Sequence, residues 1–161
     1  VKRIDNLTDQ GLEVRKILGA TAFSLPVQTD FFLEIAKLKA LRQLWSQLCK
    51  AYDQSFEHPL FIHASSPPWI KVEYQPHGNM LKSTTSALSA ILGGTDAISI
   101  MAEDSSNSLM ARVARNVSSI LREESHLSRV ADPTSGSYYV ESLTDQLAQQ
   151  AWSKFQKLVA V

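Results

Sequence analysis

The sequence predicts an α/β fold built from four parallel (β/α) units, half the number in a closed (β/α)8 barrel. Three observations predict it. Short apolar runs begin near positions 17, 60, 97 and 130. Each is followed by a stretch whose apolar residues recur at helical spacing. Strand alternating with helix implies a parallel sheet with right-handed crossovers. A closed barrel takes roughly 250 residues, and this chain has 161. The alternative architecture is a flavodoxin-like open sheet, which calls for helices on both faces and a ligand loop at the switch point. No glycine-rich phosphate loop follows any predicted strand. Gly93-Gly94 closes a helix and precedes a strand, the reverse of the order a phosphate cradle needs.

The elements follow in order. Residues 1–16 are mixed and charged, and read as the end of a preceding helix or a linker. Residues 17–161 form the predicted domain, half of a TIM barrel, and the family resemblance given below implies the carboxyl-terminal half. The first strand is expected over Ile17 to Leu25, ended by Pro26, with Thr29 or Asp30 capping the next helix. That helix carries Phe31, Ile35, Leu38, Trp45, Leu48 and Tyr52. Leu60 to Ala64 is the second strand. The Pro67-Pro68 loop after it cannot be helical. Asn79 is the expected cap of a helix through Leu81, Leu88 and Leu92, stopped by Gly93-Gly94. Ala97 to Met101 is the third strand. A polar loop from Glu103 to Asn107 leads to a helix with Leu109, Val113, Val117 and Leu121. A short fourth strand is expected around Arg129 to Ala131. The turn Asp132 to Gly136 follows, then a last helix from about Ser137.

Composition narrows the function classes. Apolar residues make up 44% of the chain, enough for a packed core. Sixteen basic residues balance sixteen acidic ones, so no nucleic-acid or anionic-membrane surface is expected, since phosphate binding needs a local basic excess. No apolar run is long enough to span a bilayer. Cys49 is the lone cysteine; it forms no internal disulfide and fits a reducing compartment, so a cytoplasmic location is expected. Val1 in place of a methionine, and a helical pattern running to Val161, predict a piece of a longer polypeptide.

In parallel α/β folds, chemistry sits where strands end and helices begin. His63 is the sharpest candidate there, because a near-neutral imidazole suits general acid catalysis or a hydrogen bond to a carbonyl. The competing reading is a packed histidine bonded to its neighbours. Ser65 and Ser66 lack a glycine elbow, which argues for loop capping over nucleophilic attack. Glu103-Asp104 could hold a cation or ribose hydroxyls, or simply favour a helix dipole. Asp132-Pro133 reads as a turn, and Arg112 and Arg115 as exposed salt-bridge formers. The histidines have no metal-ligand spacing, so no metal site is predicted.

Several motifs carry a family resemblance. Phe31-Phe32-Leu33-Glu34-Ile35-Ala36-Lys37-Leu38-Lys39-Ala40-Leu41-Arg42 resembles a helix of the methylmalonyl-CoA mutase family, FFxEIAKLRAxR. Leu92-Gly93-Gly94-Thr95 resembles its LGGT turn, and Ala111 to Asn116 its ARIARN. Glu123-Glu124-Ser125, Val130-Ala131-Asp132-Pro133 and Gly136-Ser137-Tyr138-Tyr139-Val140-Glu141 resemble EES…VxDPxxGSYYVE. They stand in family order over about residues 17–159.

The resemblance implies an enzyme that interconverts methylmalonyl-CoA and succinyl-CoA through adenosylcobalamin radicals. The barrel holds the acyl-CoA along its axis, and a separate domain holds the cobalamin. Where the family's catalytic chain has HCQTSGW, this chain has His63-Ala64-Ser65-Ser66-Pro67-Pro68-Trp69. The glutamine of that motif has become Ser65, the glycine Pro68, and an arginine two places before the histidine has become Phe61. The FDEA loop reads Glu103-Asp104-Ser105-Ser106 here, with Ser105 in place of the cofactor-contacting glutamate. No Asp-x-His-x-x-Gly cobalamin motif is present. The pattern resembles the family's non-catalytic small subunit. It implies a structural partner of a catalytic large subunit that does not itself bind adenosylcobalamin. His63 is then a degenerate catalytic position and Ser65 a degenerate substrate-binding one. The alternative is a fragment of a catalytic mutase with His63 in its active site. Half a barrel also predicts two unpaired edges and an apolar inner face, hence self-association.

Overall fold

A computed structural model of the chain describes residues 1–68, 77–104 and 106–159. Two short helices, α1 (Lys2–Asp9) and α2 (Val14–Gly19), lead into strand β1 (Ala22–Pro26). The order continues α3 (Phe31–Tyr52), β2 (Phe61–Ser65), α4 (Gly78–Leu92), β3 (Ala97–Ser99) and α5 (Ser108–Glu123). A 3-10 turn (Leu127–Arg129) and α6 (Tyr138–Val159) complete it. The strands form a parallel sheet in the order β1-β2-β3. This is an α/β arrangement consistent with half of a (β/α) barrel.

Side-chain alternation gives the sheet two unlike faces. Phe23, Leu25, Ile62, Ala64 and Ile98 pack with Leu38 and Trp45 of α3 and Ala90 of α4 in the main core. Leu18 of α2 and Ile4 of α1 join the same core. A smaller cluster, Ala87, Val117 and Leu121, joins α4 to α5. The other face carries Ala22, Ser24, Pro26, Phe61, His63, Ser65, Ala97 and Ser99, alternating with the core residues. The expected apolar inner face is mixed: Ala22, Pro26, Phe61 and Ala97 are apolar, and Ser24, His63, Ser65 and Ser99 are polar.

Two strand expectations are also corrected. Ile17 and Leu18 belong to α2, because Val14, Ile17 and Leu18 recur at helical spacing and pack together, Leu18 being fully buried. The first strand therefore starts at Ala22. Arg129 to Ala131 forms no strand among the described residues. Arg129 ends the 3-10 turn, and Val130 is extended (φ −118°, ψ 127°) but unpaired. A stretch this short gains too few ladder bonds to hold beside the three-residue β3 unless a further strand flanks it.

Helix ends show which local signals prevailed. Asn107 caps α5 as its residue type predicts, accepting from the backbone N–H groups of Leu109 and Met110. Asp30 stands at the N-cap of α3 without a side-chain capping bond. The expected Asn79 cap is displaced: α4 starts at Gly78, with His77 in the left-handed region at its N-cap (φ 66°). Gly94 terminates α4 at φ +79°, where a Cβ would be strained.

Candidate functional site

The sheet's uncovered face is the surface a barrel would turn toward its axis, and His63 lies at its centre on the middle strand. In the parallel register Ser24 is directly opposite His63, and Ser99 is opposite Ser65, one diagonal step along β3. Ser24 Oγ lies 2.8 Å from His63 Nδ1, and Ser99 Oγ lies 2.8 Å from His63 Nε2. Both ring nitrogens are thus engaged by hydroxyls from the flanking strands. Ser24 and Ser99 were not singled out in the sequence. Their signal was there in the strand alternation Phe23-Ser24-Leu25 and Ala97-Ile98-Ser99, which puts both on the face of His63.

Ser65 lies on the same face, half-buried, and its carbonyl accepts from the Val27 N–H at 2.9 Å. Ser66 is buried on the opposite side. Its N–H donates to Ser99 O at 3.0 Å and its hydroxyl accepts from Met101 N–H at 2.8 Å. Those two bonds tie the ends of β2 and β3 together. Buried Ser86 reaches from α4 to donate to Val27 O, fixing the end of β1.

The remaining candidates lie apart from His63. Glu103 points inward with its side chain 9% exposed; its Oε2 has no hydrogen-bond partner, and His77 Nδ1 lies 3.7 Å away. Asp104 closes a turn by accepting from the Ser106 N–H and hydroxyl at 2.9 and 2.6 Å. Asp132 accepts from the Lys39 ammonium at 2.8 and 3.1 Å, and Lys39 also donates to Thr134 Oγ1 at 2.8 Å. Lys39 holds the Asp132 carboxyl below the usual carboxylate range. Arg112 and Arg115 are exposed and form no ion pair among the described residues. Burial pushes the Cys49 thiol up, away from the reactive thiolate. No group of three or more metal-ligating side chains occurs among the described residues. Trp69 and Ser105 lie outside the described residues.

The motifs from distant parts of the sequence meet in space. Arg42 donates from Nη1 to Leu60 O at 2.6 Å, from Nε to Gly94 O at 3.1 Å and from Nη2 to Asp96 Oδ2 at 2.8 Å. The helix motif ending at Arg42 and the Gly93-Gly94-Thr95 turn are therefore two halves of one clamp at the amino-terminal edge of β2 and β3. Lys39 of the same helix joins the Asp132-Pro133 turn in the same way. Phe32 and Tyr139 add an edge-to-face ring contact at 5.3 Å.

The sequence comparisons agree with this assembly of motifs. The family model for methylmalonyl-CoA mutase matches residues 1–161. This chain belongs to the methylmalonyl-CoA mutase family. It is 39% identical over 162 residues to a methylmalonyl-CoA mutase small subunit from Streptomyces virginiae, covering 98% of this chain and 26% of that protein. It is 34% identical over 159 residues to the small subunit from Porphyromonas gingivalis, covering 94% and 26%. A methylmalonyl-CoA mutase of Escherichia coli is 36% identical over 154 residues, covering 92% and 22%. The chain spans about a quarter of the length of these relatives. No helix among the described residues is long and apolar enough to cross a membrane.

Proposed function

We propose that this chain is part of the small subunit of a methylmalonyl-CoA mutase, a structural, non-catalytic partner of a large subunit that carries the reaction. The complex would interconvert methylmalonyl-CoA and succinyl-CoA with adenosylcobalamin. One observation carries the reading: both nitrogens of His63 are engaged by Ser24 and Ser99. An imidazole in that state has no N–H to offer a thioester carbonyl, and preorganised donors are what such a site requires. The residues around it point the same way. Phe61 and Ser65 flank His63 on this face, and no carboxylate or guanidinium stands on the strand positions beside it.

The described residues do not fit adenosylcobalamin. The open face offers hydroxyls and a committed imidazole, and Glu103 turns its carboxylate inward. We assign the cofactor to the catalytic subunit. The chain would be cytoplasmic, with no nucleic-acid or membrane partner, and uncovered sheet edges support self-association when the large subunit is absent. The second reading, a catalytic fragment using His63, draws on the 36% identity to the Escherichia coli mutase.

The test is a reconstituted heterodimer of the full polypeptides. His63→Ala should leave turnover nearly unchanged. The small subunit alone should leave the visible spectrum of adenosylcobalamin unperturbed. A large fall in turnover with the heterodimer intact, or a clear spectral shift with the small subunit alone, would favour the catalytic reading.

A further inference from the structure

We propose that Ser24 and Ser99 are positioning residues that lock His63 into a hydrogen-bonded relay across all three strands, so that this face presents a serine hydroxyl, never an imidazole N–H, to whatever approaches it. The inference deepens the structural reading of His63 and rests on it.

The argument begins with donor and acceptor capacity. A neutral imidazole has one N–H and one lone pair, and each serine hydroxyl has one proton and two lone pairs. Two arrangements satisfy both 2.8 Å contacts. In one, Nδ1–H donates to Ser24 Oγ while Ser99 O–H donates to Nε2. In the other, Ser24 O–H donates to Nδ1 while Nε2–H donates to Ser99 Oγ. In each, one serine spends its proton on the ring and the other keeps its own. The Ser24–His63–Ser99 set therefore has a single spare donor, on Ser24 in the first arrangement and on Ser99 in the second. The two differ in tautomer and in which hydroxyl donates, so an acceptor atom settling at one serine selects the arrangement that leaves a proton there.

The strand register makes this geometry specific. Ser24 sits directly across from His63, and Ser99 sits one diagonal step along the other neighbouring strand. The ring spans the gap between them, and each end is held by a strand that is itself fixed in the ladder. Ser65 lies on the same face, two residues along β2 from His63. It provides a control with the same chemistry and no hydrogen bond to the ring among the described residues.

The experiment uses the full polypeptide carrying this sequence, labelled with 15N-histidine. The His63 ring resonances are assigned by their loss in His63→Gln. Ser24→Ala and Ser99→Ala should each move the ring 15N shifts of His63 and change its tautomer balance, whereas Ser65→Ala should leave them in place. Carbethoxylation of His63 by diethyl pyrocarbonate, read by peptide mass spectrometry, should run about fivefold faster in the Ser24→Ala, Ser99→Ala double variant, the factor expected when a ring nitrogen loses an ordinary hydrogen bond. Unmoved ring shifts in both single variants would overturn the relay. So would labelling of Ser24 or Ser99 by a fluorophosphonate, since that would mark an activated nucleophile in place of a positioning group. Turnover of the heterodimer is a separate readout. A relay that fails with turnover of His63→Ala unchanged removes this inference alone; a large loss of turnover in His63→Ala removes the structural-partner reading.

Discussion

Replacing Arg42 with Met should unfold the chain at a markedly lower temperature, because one guanidinium holds three groups at the sheet's amino-terminal edge. It donates to Leu60 O, to Gly94 O and to the Asp96 carboxylate. Asp96 Oδ2 also accepts from Ile62 N–H at 2.8 Å, so the ion pair is continuous with the start of β2. A hydrogen bond involving a charged group contributes about 1.5–3 kcal/mol when water cannot replace it. Here the Arg42 and Asp96 side chains are 30% and 39% exposed. The ion pair itself therefore contributes only ~0–1 kcal/mol. The two carbonyls, once abandoned, regain part of their bonding from water. The net loss for Arg42→Met is then about 2–3 kcal/mol. For a domain of this size that is a fall of roughly 5–10 °C in Tm. Arg42→Lys keeps the charge but not the fork, and should recover less than half of the loss. Thermal unfolding followed by circular dichroism reads both variants. A loss under about 0.5 kcal/mol for Arg42→Met, the level of an ordinary surface substitution, would refute the clamp.

Three further outcomes are expected. Gly93→Ala should destabilise by about 1–3 kcal/mol through overpacking, since the added Cβ would lie 2.8 Å from Leu38 Cδ1 and 3.1 Å from Ser89 O; pairing it with Leu38→Ala should relieve part of that loss in denaturant titrations. Asn107→Ala should cost about 1 kcal/mol by removing the cap of α5, read as a lower urea midpoint with an unchanged slope. The stability-versus-pH curve should fall at both ends. Tyr52 is pushed up to about 12 by burial and by its hydrogen bond to Asp5, so its contribution is complete below pH ~10 and lost as pH rises toward 12. Asp53 is drawn down to about 2 by hydrogen bonds from Ser55 and Arg15, so its contribution is present above pH ~4 and lost as pH falls toward 2. Tyr52→Phe should flatten the alkaline limb, and Asp53→Asn the acid one; unchanged limbs would show that these contacts do not persist in solution.

The sequence by itself determined the class of the fold, because periodicity is a local property. Apolar spacing of 3.6 from Phe31 to Tyr52 and the alternation through Ile62, His63 and Ala64 fix helix and strand without knowledge of neighbours. The glycine stop of α4 was legible for the same reason, whereas the asparagine expected to cap that helix, Asn79, lies inside it. The family was legible too, since its motifs are contiguous stretches of chain. The tertiary structure decided where strands end and what the motifs do. Ile17 and Leu18 look like a strand start in one dimension, yet their burial beside Val14 makes them helical. Val130 has strand-like torsions but no ladder, because pairing needs neighbours that local sequence cannot supply. His63 was visible as a candidate because a strand end was expected beside it, although it stands in the middle of β2, and its state was not legible. Its two hydroxyl partners lie 39 and 36 residues away in the chain, and only the parallel register brings them to one ring. The same holds for Arg42 with Gly94 and Lys39 with Asp132: each residue type was readable, but a hydrogen bond between distant segments exists only once the sheet and its helices have set their separation.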